Sequence, residues 1–230
     1  MARLARDRGL VLCTQDVAET DRIVTILTEK RGKLRILVKR ARRIDSHAGA
    51  ILDVLNYAEV IFYERRELPL LREASLLHIF RELKEDLQRL EAAMRAAAIV
   101  ARLLPDRQSY PEVLALLLDY LRALEGGLPP TVGELSFELK LLGRLGLGPF
   151  LDGCIECGGK KGLTWSPERG GLLCTACGGK GEEVSPQIWK ALRGLRNLPL
   201  SAGSRVRLPE RVLTKAQELV ERFIAWHLGR

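Results

Sequence analysis

Two short cysteine pairs constrain this 230-residue chain more than any other feature. Cys154 and Cys157 form one C-x-x-C motif, Cys174 and Cys177 form the second, and two glycines follow each motif. Sixteen residues separate the pairs, a spacing typical of four-cysteine zinc sites. Four thiolates can close a tetrahedron around one ion and leave no open position for catalysis, so we expect one structural zinc ion. Two disulfides or four unused thiols are the alternatives, and a reducing compartment disfavours disulfides.

The composition is that of a globular protein, with 47% hydrophobic and 29% charged residues. No apolar run approaches the roughly 18 residues that a membrane helix needs, and the apolar segment after the basic start of the chain ends at Thr14. The sequence therefore predicts a cytoplasmic protein without a membrane partner. The remaining cysteine, Cys13, is expected to be unpaired and buried in a strand.

The net charge of +8 is concentrated in residues 30–43, which hold eight basic residues and no acid. On a strand, alternate side chains share a face, so cations would line one face while Leu34, Ile36 and Val38 point to the core. Such a strand can lie along a phosphate backbone and release counterions. A solvated edge strand that resists aggregation is the alternative, although it needs less charge. The predicted DNA-binding residues are Lys30, Arg31, Lys33, Arg35, Lys39, Arg40, Arg42 and Arg43.

The first third of the chain is rich in short β-branched and apolar segments, which predict strands. Glu29 to Gly32 has the composition of a hairpin turn. Five short strands in about seventy residues favour a small closed antiparallel barrel, with an OB-fold as the first candidate and an SH3-like barrel as the second. The predicted strands are residues 9–14, 22–28, 34–39, 54–63 and 70–74.

Helical periodicity replaces the strand pattern at Ser75. One long helix is predicted up to Pro105, a second from Pro111, and a third from Thr131, where Thr131 and Glu134 have the capping-box spacing. Ser185 is expected to cap a helix after the cysteine pairs, and a last helix should span residues 209–228. The predicted buried stripe of the first helix is Leu76, Phe80, Leu83, Leu87, Leu90, Met94, Ala97 and Leu104.

The predicted class is therefore α+β, with a barrel followed by a helical domain into which a four-cysteine zinc module is inserted. The barrel is assigned to residues 1–77, the helical domain to 78–150 and 184–230, and the zinc module to 151–183. The positive charge of the lysines beside the two C-x-x-C motifs is offset by nearby glutamates, so the module is interpreted as structural.

No catalytic motif is apparent. The sequence has neither a Walker-type phosphate loop nor a G-x-S-x-G elbow, so no nucleotide cofactor is expected. A zinc deaminase would need an H-x-E element, which none of the histidines, His47, His78 and His227, provides. We therefore expect a protein that is not an enzyme.

Three stretches of the sequence are distinctive: Glu19-Thr-Asp-Arg-Ile-Val-Thr-Ile-Leu-Thr28 with Gly32-Lys33, residues 68–76, and Phe137-Glu-Leu-Lys-Leu-Leu-Gly-Arg-Leu-Gly146 leading into Cys154 and Cys157. Together they resemble the bacterial RecO family of recombinational DNA-repair proteins. Family members commonly have glycine where Arg40 precedes Ala41-Arg42, so a different local turn is expected here.

The resemblance implies an N-terminal OB-fold, a helical domain and a zinc module. It also implies a non-catalytic mediator, associated with the bacterial nucleoid, that binds single- and double-stranded DNA and anneals complementary strands. Its implied partners are RecR and the single-strand-binding protein, and its implied outcome is loading of RecA. The competing hypothesis is a structural zinc-ribbon adaptor that binds protein partners in a transcription or ribosome assembly.

Overall fold

The computed structural model describes residues 3–229 and divides the chain into two compact units, Met1–Glu125 and Gly126–Arg230. Residues 1–2 and 230, the ends of the predicted domains, lie outside the described residues. The first unit contains β1 (Leu4–Val17), β2 (Asp21–Thr28), β3 (Gly32–Val38), α1 (His47–Ile51), β4 (Tyr57–Tyr63), β5 (Leu70–His78), α2 (Arg81–Glu85), α3 (Leu87–Leu103) and α4 (Pro111–Glu125). The second contains α5 (Pro130–Arg144), β6 (Leu163–Ser166), β7 (Gly171–Cys174), α6 (Pro186–Asn197) and α7 (Glu210–His227).

The five strands of the first unit close a barrel in the order β1-β2-β3-β5-β4. Long β1 closes the ring because it pairs with β2 along one edge and with β4 along the other. The expectation of a purely antiparallel sheet is wrong, since β3 and β5 pair in parallel at Leu37 and Leu70. The reason is topological: directions cannot alternate around a closed ring with an odd number of strands, so at least one pair is parallel.

The barrel interior is filled by side chains that alternate along the strands. Residues on β3 and β4 switch between buried and solvent-facing with a period of two, as the strand pattern predicts. The core includes Val24, Ile26, Ile36, Val60 and Phe62. The predicted hairpin turn between β2 and β3 is confirmed, and Gly32 has the left-handed φ of 70° that such a turn favours.

Cys13 is exposed, so the expectation of a buried thiol is wrong. The register between β1 and β2 shifts between Val11 and Cys13, and Leu12 is buried at this irregularity. The extra residue turns the Cys13 side chain to the outer face of the barrel.

The single long helix predicted from Ser75 is also wrong. Strand β5 continues to His78, and the helical segment breaks at Asp86, whose carboxylate caps α3 by accepting a hydrogen bond from the Arg89 amide at 3.1 Å. The break changes the buried face, so Leu87 and Met94 are exposed and Leu76 lies on the strand. Small side chains instead let α3 approach β1 closely: Ala92, Ala93, Ala96, Ala97 and Val100.

In the second unit α5, α6 and α7 pack against one another, and the two-stranded sheet β6–β7 carries part of the cysteine motifs. Ser185 caps α6 as predicted, because its hydroxyl accepts from the Ile188 amide. The predicted capping box at Thr131 is wrong: α5 begins directly after Pro129 without a side-chain cap, and Glu134 is buried. Among residues 3–229, no helix combines the length and apolar character that a bilayer crossing requires.

Gly32 offers a test of the barrel. A Cβ atom there would lie 1.7 Å from the Gln108 carbonyl oxygen, and the left-handed backbone adds strain. We expect Gly32→Ala to lower the free energy of unfolding by about 2 kcal/mol or more. Gly143→Ala, in open space on helix α5, should instead raise it by about 0.5–1 kcal/mol. Urea unfolding followed by circular dichroism measures both, and equal effects would contradict the close approach at Gly32.

Candidate nucleic-acid interface and metal centre

Strand β3 carries the basic stretch with one face in the core. Leu34, Ile36 and Val38 are buried, whereas Arg35 and Lys39 are exposed. The barrel therefore forces the cations of β3 outward, as the alternation predicts. Arg40, which follows directly, takes a left-handed φ of 56°, in the region that glycine favours.

The eight predicted residues differ in whether their charge is already paired. Lys33 is the most engaged, because its ammonium donates to the Ala101 carbonyl at 2.6 Å and pairs with Asp106 at 3.2 Å, and its side chain is only 13% exposed. Arg42 and Arg43 also have carboxylate partners, at Asp16 and Asp45 respectively. These three cations hold the barrel and its loops together.

Arg31 is partly exposed and pairs with Glu64 at 3.3 Å. The other four predicted cations are exposed and form no ion pair with any residue in the range 3–229: Lys30, Arg35, Lys39 and Arg40. They are the positive charges of this stretch that a polyanion could neutralise without first displacing a carboxylate.

Two cations outside the predicted stretch lie next to it. Arg65, in the loop between β4 and β5, and Arg107, in the loop between α3 and α4, share a cavity with Lys30 and Arg31. The chain folds Arg107 onto β3 by a hydrogen bond from its amide to the Lys33 carbonyl, at 2.9 Å. Sequence reasoning missed both residues because the cavity joins distant segments: Arg107 lies 74 positions after Lys33, and Arg65 lies 34 positions after Arg31. No local pattern indicates these contacts.

The four cysteines of the second unit converge as the motif spacing predicts. Their Sγ atoms all lie within 4.8 Å of one another, and all four thiols are free, which eliminates the disulfide alternative. The Sγ atoms of Cys157 and Cys174 are 3.7 Å apart. Four sulfurs at 2.3 Å from one tetrahedral ion would be about 3.8 Å apart, so the donor set fits a metal ion.

A glycine with a left-handed backbone follows each of the two C-x-x-C motifs. Gly158 and Gly178, each directly after the second cysteine of its motif, have left-handed φ values of 71° and 88°. The Gly158 amide donates a hydrogen bond to the Cys154 carbonyl at 2.8 Å. In the second C-x-x-C turn, the Gly179 amide donates to the Cys174 carbonyl at 3.0 Å. These tight turns hold the two sulfurs of each pair on one side.

The electrostatics of the four sulfurs favour a cation at their centre. Backbone N–H groups, that of Cys174 first, lower the pKa of Cys154 to about 6. The pKa of Cys177 is raised to about 12, chiefly because it shares hydrogen bonds with Cys174 and Cys157. The raised pKa of Cys177 favours its protonated thiol, and a divalent cation at the centre would favour its thiolate.

The cysteine module is fastened to the helices that follow it in the sequence. Asp152 pairs with Arg193 and Arg196 of α6 at 3.0 and 3.2 Å, and the Trp189 indole donates to the Leu151 carbonyl at 2.6 Å. At the other end of the module, Glu182 pairs with Lys215 and Arg222 of α7. These contacts connect the cysteine-bearing segment to both α6 and α7.

A groove of about 450 Å³ lies beside the same helices. Its walls are mainly aliphatic, with Lys190 at the edge, and include Ala191, Leu195, Leu198, Leu208 and Val212. Residues 184–209, which supply most of these walls, contain five basic residues and no acid. The groove is therefore mainly apolar, and Lys190 is the cation among its lining residues.

A barrel with a cationic outer strand and a helical unit with four converging cysteines define an α+β protein with a candidate metal centre and a candidate surface for anions. Comparison with known proteins agrees: the family described as "Recombination protein O N terminal" matches residues 1–80, and "Recombination protein O C terminal" matches residues 84–230. The chain belongs to the RecO family of DNA-repair proteins.

Curated relatives support the same assignment over nearly the whole chain. The DNA repair protein RecO of Anaeromyxobacter sp. (strain Fw109-5) is 34% identical, with 96% of this chain and 90% of the relative covered. That of Myxococcus xanthus (strain DK1622) is also 34% identical, with 97% and 92% covered. That of Roseiflexus sp. (strain RS-1) is 30% identical, with 99% and 82% covered.

The metal centre is tested by cysteine replacement. Cys174→Ser removes a buried ligand, and we expect it to abolish binding of one metal ion per chain and to lower the melting temperature by several degrees. Cys13→Ser is the matched control, because Cys13 lies in the barrel and should leave both properties unchanged. Elemental analysis and thermal melting measure the outcome, and metal-free wild-type protein would contradict the assignment.

Proposed function

We propose that the protein is a non-catalytic mediator of recombinational DNA repair that binds single- and double-stranded DNA and anneals complementary strands. The observation that carries this proposal is the cationic outer face of β3 and the residues flanking it, on which Lys30, Arg35, Lys39 and Arg40 have no carboxylate partner among the described residues. The barrel, with one parallel strand pair in the order β1-β2-β3-β5-β4, is proposed to be an OB-fold.

Annealing needs no chemical step from the protein. Two complementary strands repel each other through their phosphates, and cations that neutralise part of this charge lower the barrier to pairing. Base pairing then supplies the free energy. The exposed cations of β3 and its flanks contact phosphates and not base edges in this mechanism, so binding is expected to depend little on sequence.

The metal is proposed to be a single structural zinc ion. Soft thiolate ligands in a tetrahedral set favour zinc, and four protein ligands leave no position for a substrate or an activated water. When bound, the ion neutralises the negative charge of the thiolates. The surrounding contacts of Asp152 and Glu182 then transmit the rigidity of the module to α6 and α7.

The partner proteins are part of the same proposal. We infer that the acidic tail of the single-strand-binding protein docks in the groove beside α6, because the groove is apolar and carries a cation, Lys190, among its lining residues. Lys190 is exposed and forms no ion pair with any described residue, and the exposed Arg205 and Arg207 lie next to the lining residues Val206 and Leu208 in the sequence. RecR and the loading of RecA onto coated strands, in the bacterial cytoplasm close to the nucleoid, complete the proposed role through the family resemblance.

DNA binding is tested by removing free charges. Replacing Lys30, Arg35 and Lys39 by alanine should weaken binding to all sequences, because fewer counterions are released. The slope of log K against log salt should become shallower by about 0.7 for each phosphate of a single strand that is no longer neutralised. Fluorescence anisotropy over a salt series measures this slope. An unchanged affinity and slope would overturn the proposed interface.

A charge-matched control locates the effect. Replacing Lys160, Lys161 and Lys180 by alanine removes the same three charges from the cysteine module, and DNA affinity should change much less. A strand-annealing assay separates the proposal from the adaptor hypothesis. An adaptor would leave complementary strands pairing at their spontaneous rate, whereas the mediator accelerates pairing in a salt-dependent way.

The groove is tested with a peptide of the acidic tail. Lys190→Glu places a negative charge in the groove lining and should weaken peptide binding at least about tenfold, because attraction becomes repulsion. Lys180→Glu makes the same change beside the second C-x-x-C motif, away from the groove, and should bind normally. Calorimetry measures the affinity of both variants, and equal weakening would contradict docking in the groove.

A further inference from the structure

A cavity of about 460 Å³ opens on the first unit where three segments meet. They are the β2–β3 turn, the β4–β5 loop and the loop between α3 and α4. Four cations line the cavity together with one acid, Glu64, and three buried apolar residues of the barrel wall: the cations are Lys30, Arg31, Arg65 and Arg107, and the apolar residues are Leu34, Phe62 and Pro69. The volume lies in the range of small-ligand sites, which is about 300–1,000 Å³.

The positive charge of this cavity is largely uncompensated. Glu64 pairs with Arg31 at 3.3 Å. Lys30 and Arg65 form no ion pair with any residue among 3–229, and the Arg107 guanidinium donates to backbone carbonyls instead of a carboxylate. Three cations therefore face one concave space without a counter-charge, which favours an anionic ligand.

Hydrogen bonds hold the walls of the cavity against β3. Arg107 Nη2 donates to the carbonyls of Arg65, Arg66 and Glu67 at 3.3, 2.8 and 3.3 Å. The Leu37 amide donates to the Pro69 carbonyl at 2.8 Å. The two loops are thus tied to each other and to the strand, so the cavity is largely preformed.

The backbone at Arg107 is strained. Its φ is 61°, which is costly for a residue other than glycine. The strained turn aims the side chain over the β4–β5 loop while its amide stays bonded to Lys33, the position next to Gly32. Strain that is retained in this way is typical of binding sites.

We propose that this cavity accepts one unstacked nucleotide of a single DNA strand. Lys30, Arg65 and Arg107 would contact its phosphate, and the sugar and base would occupy the concave space between the three segments. A base inside a duplex is stacked and paired, so it cannot enter without being extracted. The cavity therefore gives the protein a preference for single strands that the flat cationic face of β3 does not provide. This inference rests on the proposed function, because it assumes that the barrel binds DNA.

Neighbouring arginines provide a matched test. Arg65 lines the cavity, and Arg66, next to it in the same exposed loop, does not. Arg65→Gln and Arg66→Gln remove the same charge from the same segment and leave the backbone carbonyls that Arg107 uses. Melting curves of both variants check that the fold is retained.

The measurement is the affinity for single-stranded oligothymidylate and for a duplex of equal length at one salt concentration. We expect Arg65→Gln to weaken single-strand binding about fivefold to tenfold more than Arg66→Gln, in keeping with the removal of one charge-assisted hydrogen bond. Duplex affinity should be the same for both variants. Replacing the bases of the oligonucleotide by abasic residues should cost the wild type at least about fivefold, and Arg65→Gln less.

Each outcome has a separate meaning. Equal single-strand losses for the two variants, or equal losses on single strand and duplex for Arg65→Gln, would overturn the nucleotide cavity and leave DNA binding by the barrel intact. Wild-type protein that binds neither the single strand nor the duplex would overturn the proposed function itself. If free thymidine monophosphate competed with the oligonucleotide at an equal affinity, the cavity would be a site for free nucleotides. That result would contradict the assignment to a DNA strand.

Discussion

The pleat of β3 is the constraint on which the first unit depends. A closed barrel needs one face of every strand in its core, and β3 supplies Leu34, Ile36 and Val38. The residues between them then have to face away from the core. Arg35 is exposed for this reason, and Lys39 follows it at the same side of the barrel. The core that stabilises the barrel and the surface proposed to bind DNA are two sides of one strand.

The same strand also organises the loops around it. Lys33 is not part of the free cationic surface, because its ammonium is held by the Ala101 carbonyl and Asp106. These contacts bring the loop after α3 across the start of β3. Gly32 makes room for that loop, and Arg107 ties it to the β4–β5 loop. Lys33 thus has a structural role, and the loop that it holds carries Arg107, one of the cations that line the cavity. In the second unit, Asp152 and Glu182, on either side of the four cysteines in the sequence, form ion pairs with residues of α6 and α7.

Local patterns predicted the parts of this structure that depend on neighbouring residues. The alternation on β3, the turn at Gly32, the Ser185 cap and the convergence of the four cysteines are all properties of short segments with fixed periods. The capping box at Thr131 is a local failure, because α5 begins at Pro130; the other failures involve contacts between distant residues or changes of phase. The parallel β3–β5 pair follows from closing the ring, the alanine face of α3 follows from a break at Asp86, and Cys13 turns outward at a strand irregularity. Arg65 and Arg107 carry no sequence signal, since only the fold brings them together.

Whether the barrel is the DNA-binding unit can be decided by finding where DNA touches the protein. Single-stranded DNA with photoreactive bases would be crosslinked to the full chain, and the attached peptides would be mapped by mass spectrometry. We predict attachment within residues 30–43 and at the β4–β5 loop that carries Arg65, with less attachment on a duplex at the latter. Crosslinks confined to residues 126–230 would contradict a DNA-binding barrel, because the second unit alone would then contact the strand.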